Sequence, residues 1–375
     1  MITDEVVAAV CTRLATLTPS ATRSRATSDL TDPARKIATE LLPLGTAAEI
    51  DVVATAAIAH VQGLGPLQHF LADSSVNEIM VNNGGDVWVE RDGEIHIAGR
   101  LDAEVTPRLI ERILGPLGRR LDRLTPIVDA RLADGSRVCA VIPPIAIDGP
   151  CLTLRRFGIR LRGLDDFASA DVGEVLAQVI HARCNVLISG ATSSGKTSLL
   201  NALASLIAPT ERIVTLEDTA ELRLAAPHVL RLETRPATVD GTPAVTMTDL
   251  VRASLRLRPD RIVVGEIRGA EVIDMLNAMN TGHSGSLTTC HANGPLDALR
   301  RIETLVTQHS PAWPLQAVRD TVRSSIDIVV HLDRTAAGER RVSEILELAP
   351  PDSDGHHRAL VVDSRCVSAL QRGRR

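Results

Sequence analysis

The sequence predicts an α/β protein whose C-terminal half is a parallel, helix-covered sheet, preceded by a mixed α+β domain and a helical segment. Two observations carry the parallel sheet. After about Leu161, short apolar runs alternate with amphipathic helical stretches, as stacked strand–helix units require. One of those runs, Asn185-Val-Leu-Ile-Ser189, leads directly into a glycine-rich turn, and a helix carrying Leu199, Leu200, Leu203 and Leu206 follows. A third observation sets the preceding domain apart: short alternating runs punctuated by Gly/Asp turns fill the stretch from about Leu64 to Arg160.

Residues 1–62 read as helices joined by polar loops. Val6, Val7, Val10, Leu14 and Leu17 recur at helical spacing, Pro19 to Ser28 is a Ser/Thr/Arg-rich loop, and Asp32-Pro33 opens a second helix. Residues 63–160 form the α+β domain. Val76 to Asn82, Val87 to Glu90 and Glu94 to Ala98 are strand runs, with turns at Gly84-Gly85-Asp86 and Arg91-Asp92-Gly93. A helical interval covers Val105 to Leu117, and further strands cover Ser136 to Ile142 and Cys151 to Arg155. In residues 161–350 the strand candidates are Val186 to Ser189, Ile213 to Leu216, Ile262 to Gly265 and Ser286 to Thr289. Residues 351–375 read as a polar, frayed tail.

Composition narrows the function. The chain has 375 residues, 41 basic against 46 acidic, a formal net charge of -5. That balance disfavours a nucleic-acid coat or a polybasic membrane binder. With three Phe, two Trp and no Tyr, stacking platforms for single strands are not expected either. The six cysteines form no CxxC pair, so reduced thiols are expected rather than a zinc site. The start, MITDEVV, is acidic where a signal peptide is basic, and the longest apolar stretch, Ala47 to Leu64, is interrupted by Glu49, Asp51, His60 and Gln62. A cytoplasmic protein that meets membranes only through partners is the expectation.

The turn Gly190-Ala191-Thr192-Ser193-Ser194-Gly195-Lys196-Thr197 fits GxxxxGK[ST] at every fixed position. Glycines at 190 and 195 let backbone N–H groups face phosphate oxygens, and the helix start at Lys196, Thr197 and Ser198 adds partial positive charge. Lys196 is suited to the β- and γ-phosphates and the Thr197 hydroxyl to Mg²⁺. The only other lysine is Lys36, so no NKxD guanine-reading segment exists downstream and ATP is the expected nucleotide.

Three further clusters could complete the chemistry. Arg258-Pro-Asp-Arg-Ile-Val-Val-Gly-Glu-Ile-Arg268 puts Glu266 just past an apolar strand, where it could orient a water or touch Mg²⁺ through one; Gly265 stands where an Mg²⁺-binding Asp is usual. The alternative is a structural ion pair with Arg268. In Thr215-Leu-Glu-Asp-Thr-Ala-Glu221, the acids Glu217, Asp218 and Glu221 could hold Mg²⁺ waters or activate the nucleophile; the alternative is a helix-start acidic cap. Thr281-Gly-His-Ser-Gly-Ser-Leu-Thr-Thr-Cys-His-Ala-Asn293 carries His283 and His291 in a stretch suited to phosphate sensing rather than metal ligation.

Taken together and in this order, Gly190–Thr197, Thr215–Glu221, Arg258–Gly269 and Thr281–Asn293 resemble the Walker A, Asp box, Walker B and His box of type II/IV secretion ATPases. Leu64-Gly-Pro-Leu, Val76 to Asn82 and Val87-Trp-Val-Glu-Arg91 resemble the Flp/Tad pilus and conjugal-transfer branch. The resemblance, over roughly residues 60 to 350, implies a PAS-like N-terminal domain, a RecA-like motor domain and a homo-hexameric ring. It implies that Glu266 is the catalytic carboxylate and that His283 and His291 couple the γ-phosphate state to movement. It implies phosphate-contacting arginines in the N-terminal domain, at Arg137 and Arg155 with Arg156 as a neighbour; surface ion pairs are the plain alternative. It also implies a polytopic inner-membrane platform protein as partner, and no direct nucleic-acid contact. The function so read is an ATP-driven motor for pilus assembly or secretion. The alternatives are a nucleotide-gated scaffold with little hydrolysis and a DNA translocase of a conjugation-like system.

Overall fold

A computed structural model describes residues 4–17, 30–61, 63–82, 84–91, 94–132, 134–156, 162–237, 241–335, 338–349 and 357–372. The Pro19 to Ser28 loop lies outside these residues, as do Asp92 and Gly93 of the second turn. The chain divides into two compact units, Met1–Gly158 and Ile159–Arg375.

The first unit opens with helices α1 (Asp4–Leu17), α2 (Thr31–Leu41) and α3 (Ala47–Val61). They bury Val10, Leu14, Ala34, Ile37, Val53 and Ala57 against one another. The alanines at these contacts let backbones approach closely. After the short α4 (Gln68–Ala72) come β1 (Val76–Asn82), β2 (Asp86–Arg91), β3 (Glu94–Arg100), α5 (Val105–Leu114), β4 (Ile127–Arg131), β5 (Arg137–Val141) and β6 (Cys151–Arg155). The strands make one antiparallel sheet in the order β3-β2-β1-β6-β5-β4. Alternation decides its faces. Ile79, Val89, Leu152 and Val138 point into a core with Leu109 and Ile113 of α5. The opposite face carries, in one cross-strand row, Ile97, Trp88, Met80, Thr153 and Cys139. Strand β4, absent from the sequence reading, is the sheet's outer edge and is only partly buried, which weakens its apolar signal.

In the second unit, α6 (Ala170–His181) precedes β7 (Val186–Gly190), α7 (Lys196–Ala204), β8 (Ile213–Glu217), β9 (Val229–Glu233), α8 (Met247–Ser254), β10 (Arg261–Val264), α9 (Glu271–Asn280) and β11 (Leu287–His291). Helices α10 (Pro295–His309) and α11 (Leu315–Ser325) lead to β12 (Ile328–Arg334), β13 (Arg340–Leu348), β14 (His357–Val362) and β15 (Arg365–Cys366). Trp313 sits partly exposed between α10 and α11. The sheet order is β15-β14-β13-β12-β7-β11-β10-β8-β9, parallel from β12 to β9 and antiparallel from β12 to β15.

Every residue of β7, β8 and β10 is buried, because helices cover both faces. One face meets Leu176, Ile180, Leu199 and Leu203 of α6 and α7; the other meets Val251, Met275 and Ile302 of α8, α9 and α10. Local chemistry starts the helices. Thr246 and Asp249 cap α8 reciprocally, at 3.2 and 2.9 Å, and Pro295 takes the first turn of α10.

The expectation of a frayed tail is overturned. His357–Val362 pairs with β13 and buries Leu360 and Val361. Beyond it, Arg372 lies 2.5 Å from the fully buried Asp327 and donates to the carbonyls of Leu348 (2.7 Å) and Arg323 (3.2 Å). Overall polarity misleads here because the apolar run Ala359-Leu-Val-Val362 is short and a buried ion pair looks like surface charge in a sequence. Residues 351–356 and 373–375 lie outside the described set.

Candidate active site

Parallel strands end together, so the carboxyl edge of this sheet gathers the ends of β7, β8, β10 and β11. Gly190 stands opposite His291, and Leu216 opposite Val264. Glu217, Glu266, His291 and the glycine-rich turn therefore share one edge.

The turn is shaped by two positions that tolerate no side chain. A Cβ on Gly190 would stand 2.6 Å from the Leu332 carbonyl oxygen and 2.5 Å from Ser194 Oγ. Gly195 has φ of 100° and caps α7, and a Cβ there would meet Arg340 Cδ at 2.8 Å. Ser193 is left-handed too, at φ of 61°. Ala191, Thr192 and Ser193 are exposed at the lip, and Thr197 and Ser198 are partly exposed at the helix start. Ser194 Oγ is buried and has no partner among the described residues. An orphaned hydroxyl and two glycines with no room for a Cβ make a cradle that fits a phosphate chain. Lys196 is only 6% exposed and donates to the carbonyls of Gly190 (3.0 Å) and Ala191 (2.7 Å). Burial pulls its ammonium below its ordinary value, against the opposing pull of Glu266.

Glu266 follows β10 and is held by its neighbours' backbone. Gly265 donates to Leu216 O (2.9 Å), Ile267 donates to Thr289 O (2.9 Å), and the Thr289 hydroxyl donates to Gly265 O (2.7 Å). One carboxylate oxygen meets His291 Nδ1 and the other accepts from Arg268 at 2.6 Å. Burial would raise this carboxyl, but Arg268 and His291 outweigh it and hold the group below its usual value, ionised at neutral pH. The ion pair weighed as an alternative is thus real, and it stands at the phosphate edge.

The second acidic cluster splits. Glu217, 3% exposed, accepts from the backbone N–H groups of Glu221 and Leu222, both at 2.8 Å, while its Oε2 is buried without a partner among the described residues. Burial pushes its carboxyl up to about 7 despite those bonds. Asp218 is exposed and Glu221 partly so; both add to the field that raises Arg268, after Glu266 itself. The two histidines are not brought together. His291 ends β11 at the site, whereas His283 precedes that strand, with Nδ1 3.3 Å from Ala278 O. The five-residue strand between them, about 16 Å long, puts His283 at the opposite edge of this chain's sheet.

In the first unit, Arg137 pairs directly with Arg155 across β5 and β6, flanked by Arg131 on one side and Glu78 on the other. Arg156 is committed elsewhere, donating to the carbonyls of Asp73 and Val76.

Two residues at the phosphate turn escaped sequence reasoning. His331, buried on β12, lies opposite Ser189, with Nδ1 2.8 Å from Ser189 Oγ and Nε2 3.4 Å from Asp333. Arg340 opens β13. No local motif marks either; only the pairing of β12 with β7 brings them in.

A phosphate cradle at the end of one strand and an ionised carboxylate at the end of another, on a RecA-like sheet, define a P-loop ATP-hydrolysing enzyme. The model of the family "Type II/IV secretion system protein" matches residues 60–375, and the chain belongs to that family. It is 37% identical over 291 residues to the conjugal transfer protein TrbB of Rhizobium radiobacter, covering 74% of this chain and 85% of that protein. It is 36% identical over 327 residues to the type IV secretion system protein PtlH of Bordetella pertussis, covering 76% and 93%. Among solved structures, the Legionella pneumophila ATPase DotB shares the fold, with a TM-score of 0.53 at 24% identity over 75% of this chain and 79% of that one.

Proposed function

We propose that the chain is a cytoplasmic, homo-hexameric motor that hydrolyses Mg²⁺-ATP and delivers the resulting movement to a polytopic inner-membrane platform of a pilus or secretion system. It would sit at the cytoplasmic face of that membrane through this partner; no helix among the described residues is by itself long and apolar enough to span a bilayer. Glu266, held between His291 and Arg268 at the edge that carries the phosphate cradle, is the observation that supports the reading most.

In this reading the backbone from Gly190 to Ser198 binds the phosphates, and Lys196 exchanges its two loop carbonyls for phosphate oxygens. No group of three or more His, Cys, Asp or Glu among the described residues could hold a metal by itself. Mg²⁺ would therefore be held by the Thr197 hydroxyl and the nucleotide, with Glu266 through water, and would supply charge neutralisation on the phosphates. Glu266 orients the attacking water and takes its proton, and His291 fixes the carboxylate's direction. Asp218 and Glu221 tune Arg268. Arg137 and Arg155 lend their paired charge to the phosphates.

Phosphate release by the purified, assembled protein tests this. Glu266→Gln should retain Mg²⁺-ATP while turnover falls by about 10²–10⁴-fold, and Lys196→Ala should fail to retain nucleotide. Undiminished release by Glu266→Gln removes Glu266 from its role. A wild-type protein that retains no Mg²⁺-ATP ends the motor reading.

A further inference from the structure

Where β7 leaves the sheet for the phosphate cradle, a polar pair in an apolar layer ties it sideways to β12. Ser189 and His331 stand opposite each other in the ladder, on the sheet face that carries Leu187, Val329 and Cys290. Ser189 is fully buried and His331 is 3% exposed. The Ser189 hydroxyl has two acceptors, His331 Nδ1 at 2.8 Å and the Val330 carbonyl at 3.4 Å. His331 Nε2 lies 3.4 Å from the Asp333 carboxylate, which favours the ring proton on Nε2 and leaves the Nδ1 lone pair for Ser189. Replacing both members of such a pair by apolar groups of the same shape can be close to neutral in stability, so folding alone does not call for it. Its place in the sheet offers another reason. Gly190, next in β7, has Leu332 on one side and His291 on the other, and its carbonyl accepts from Lys196 at 3.0 Å. His291 in turn holds Glu266. The span from cradle to carboxylate is therefore set by how β7 sits between β12 and β11.

We propose that His331 is a positioning residue for ATP hydrolysis: through Ser189 it pins the end of β7 against β12 and so fixes the phosphate cradle relative to Glu266. This rests on the reading of the Gly190–Ser198 turn and Glu266 as two sides of one ATP site. The backbone N–H groups of the cradle move together with Gly190, so a strand that has slipped still binds phosphates. What it loses is the alignment of the terminal phosphate with the water that Glu266 orients. An error of about 1 Å in such an alignment costs about 10²-fold in rate. The signature of the pair is a fall in kcat with KM for Mg²⁺-ATP little changed.

Steady-state ATPase kinetics of the assembled full chain test the assignment. His331→Leu keeps the bulk and removes Nδ1, and Ser189→Ala removes the hydroxyl. Each should lower kcat about ten- to a hundredfold with KM within about threefold of wild type, and the double variant should lose no more than either alone, since both break one bond. His331→Asn returns an acceptor at the place of Nδ1 and should recover most of the loss. Wild-type kcat in Ser189→Ala or His331→Leu overturns the inference. So do losses that add in the double variant, a defect confined to KM, and a His331→Asn as slow as His331→Leu, which would make ring volume and not the hydrogen bond the cause. Ser189→Ala, the smaller change, decides alone if the His331 variants do not fold: a lower kcat at unchanged KM supports the pair, and wild-type kcat refutes it. Wild-type protein without turnover of Mg²⁺-ATP fails the ATP-site reading itself, whereas normal wild-type turnover with indifferent variants fails only this proposal.

Discussion

Glu217 and Glu266 are two carboxylates at one sheet edge with opposite settings. Glu266 is kept ionised by Arg268 and His291, whereas burial moves Glu217 from the ordinary 4.5 to about 7. Between those two values the folded chain holds a proton on Glu217 that the unfolded chain has released. The stability this group contributes is therefore full below its unfolded value and is lost as pH rises through about 7. Glu217→Gln imitates the protonated acid and keeps the oxygen that caps the Glu221 and Leu222 N–H groups. Melting curves between about pH 5 and about pH 8 should show the wild type losing up to about 3 kcal/mol relative to Glu217→Gln. Parallel curves for the two proteins would mean that the carboxyl is not held neutral. Much of the site is legible at this scale. The glycine-rich turn and Glu266 announce themselves because phosphate chemistry fixes residue types at fixed spacing. The state of Glu217 is not legible, since its burial depends on Gly265, whose missing side chain leaves room for it.

At the scale of elements, the C-terminal strands and Arg372 are the largest departure from the sequence reading. Asp327 is fully buried, accepts from Asn185 N at 2.7 Å and pairs with Arg372 at 2.5 Å. Removing one partner of a buried pair strands the other charge in the interior, which costs about 3–5 kcal/mol. Arg372→Ala should lower the stability of the second unit by about that amount in urea titrations. A loss below about 0.5 kcal/mol would show that water already screens the pair. Four parallel strands, β7, β8, β10 and β11, were legible because both faces are apolar; β9 was missed because its residues are only partly buried or exposed, and β12 was missed although its first five residues are buried. The separation of His283 from His291 has the same root: spacing in sequence does not say that a strand lies between two residues.

On the scale of the whole molecule, the proposed ring makes a claim about concentration. If neighbouring copies complete the catalytic centre, specific ATPase activity should rise with protein concentration and level off where light scattering reports six chains. Activity per chain that is constant down to the monomer would separate hydrolysis from assembly. Composition could exclude classes of function but could not place the two units' sites relative to a partner, because such surfaces are encoded in no single segment.

The scarcity of aromatic residues, which shapes the cores, has an experimental consequence as well. With no Tyr, and one indole in each unit at Trp88 on the sheet's outer row and Trp313 between two helices, the chain carries its own pair of fluorophores on an almost dark background. Replacing either one isolates the emission of the other, so events in each half can be followed optically without attaching a dye.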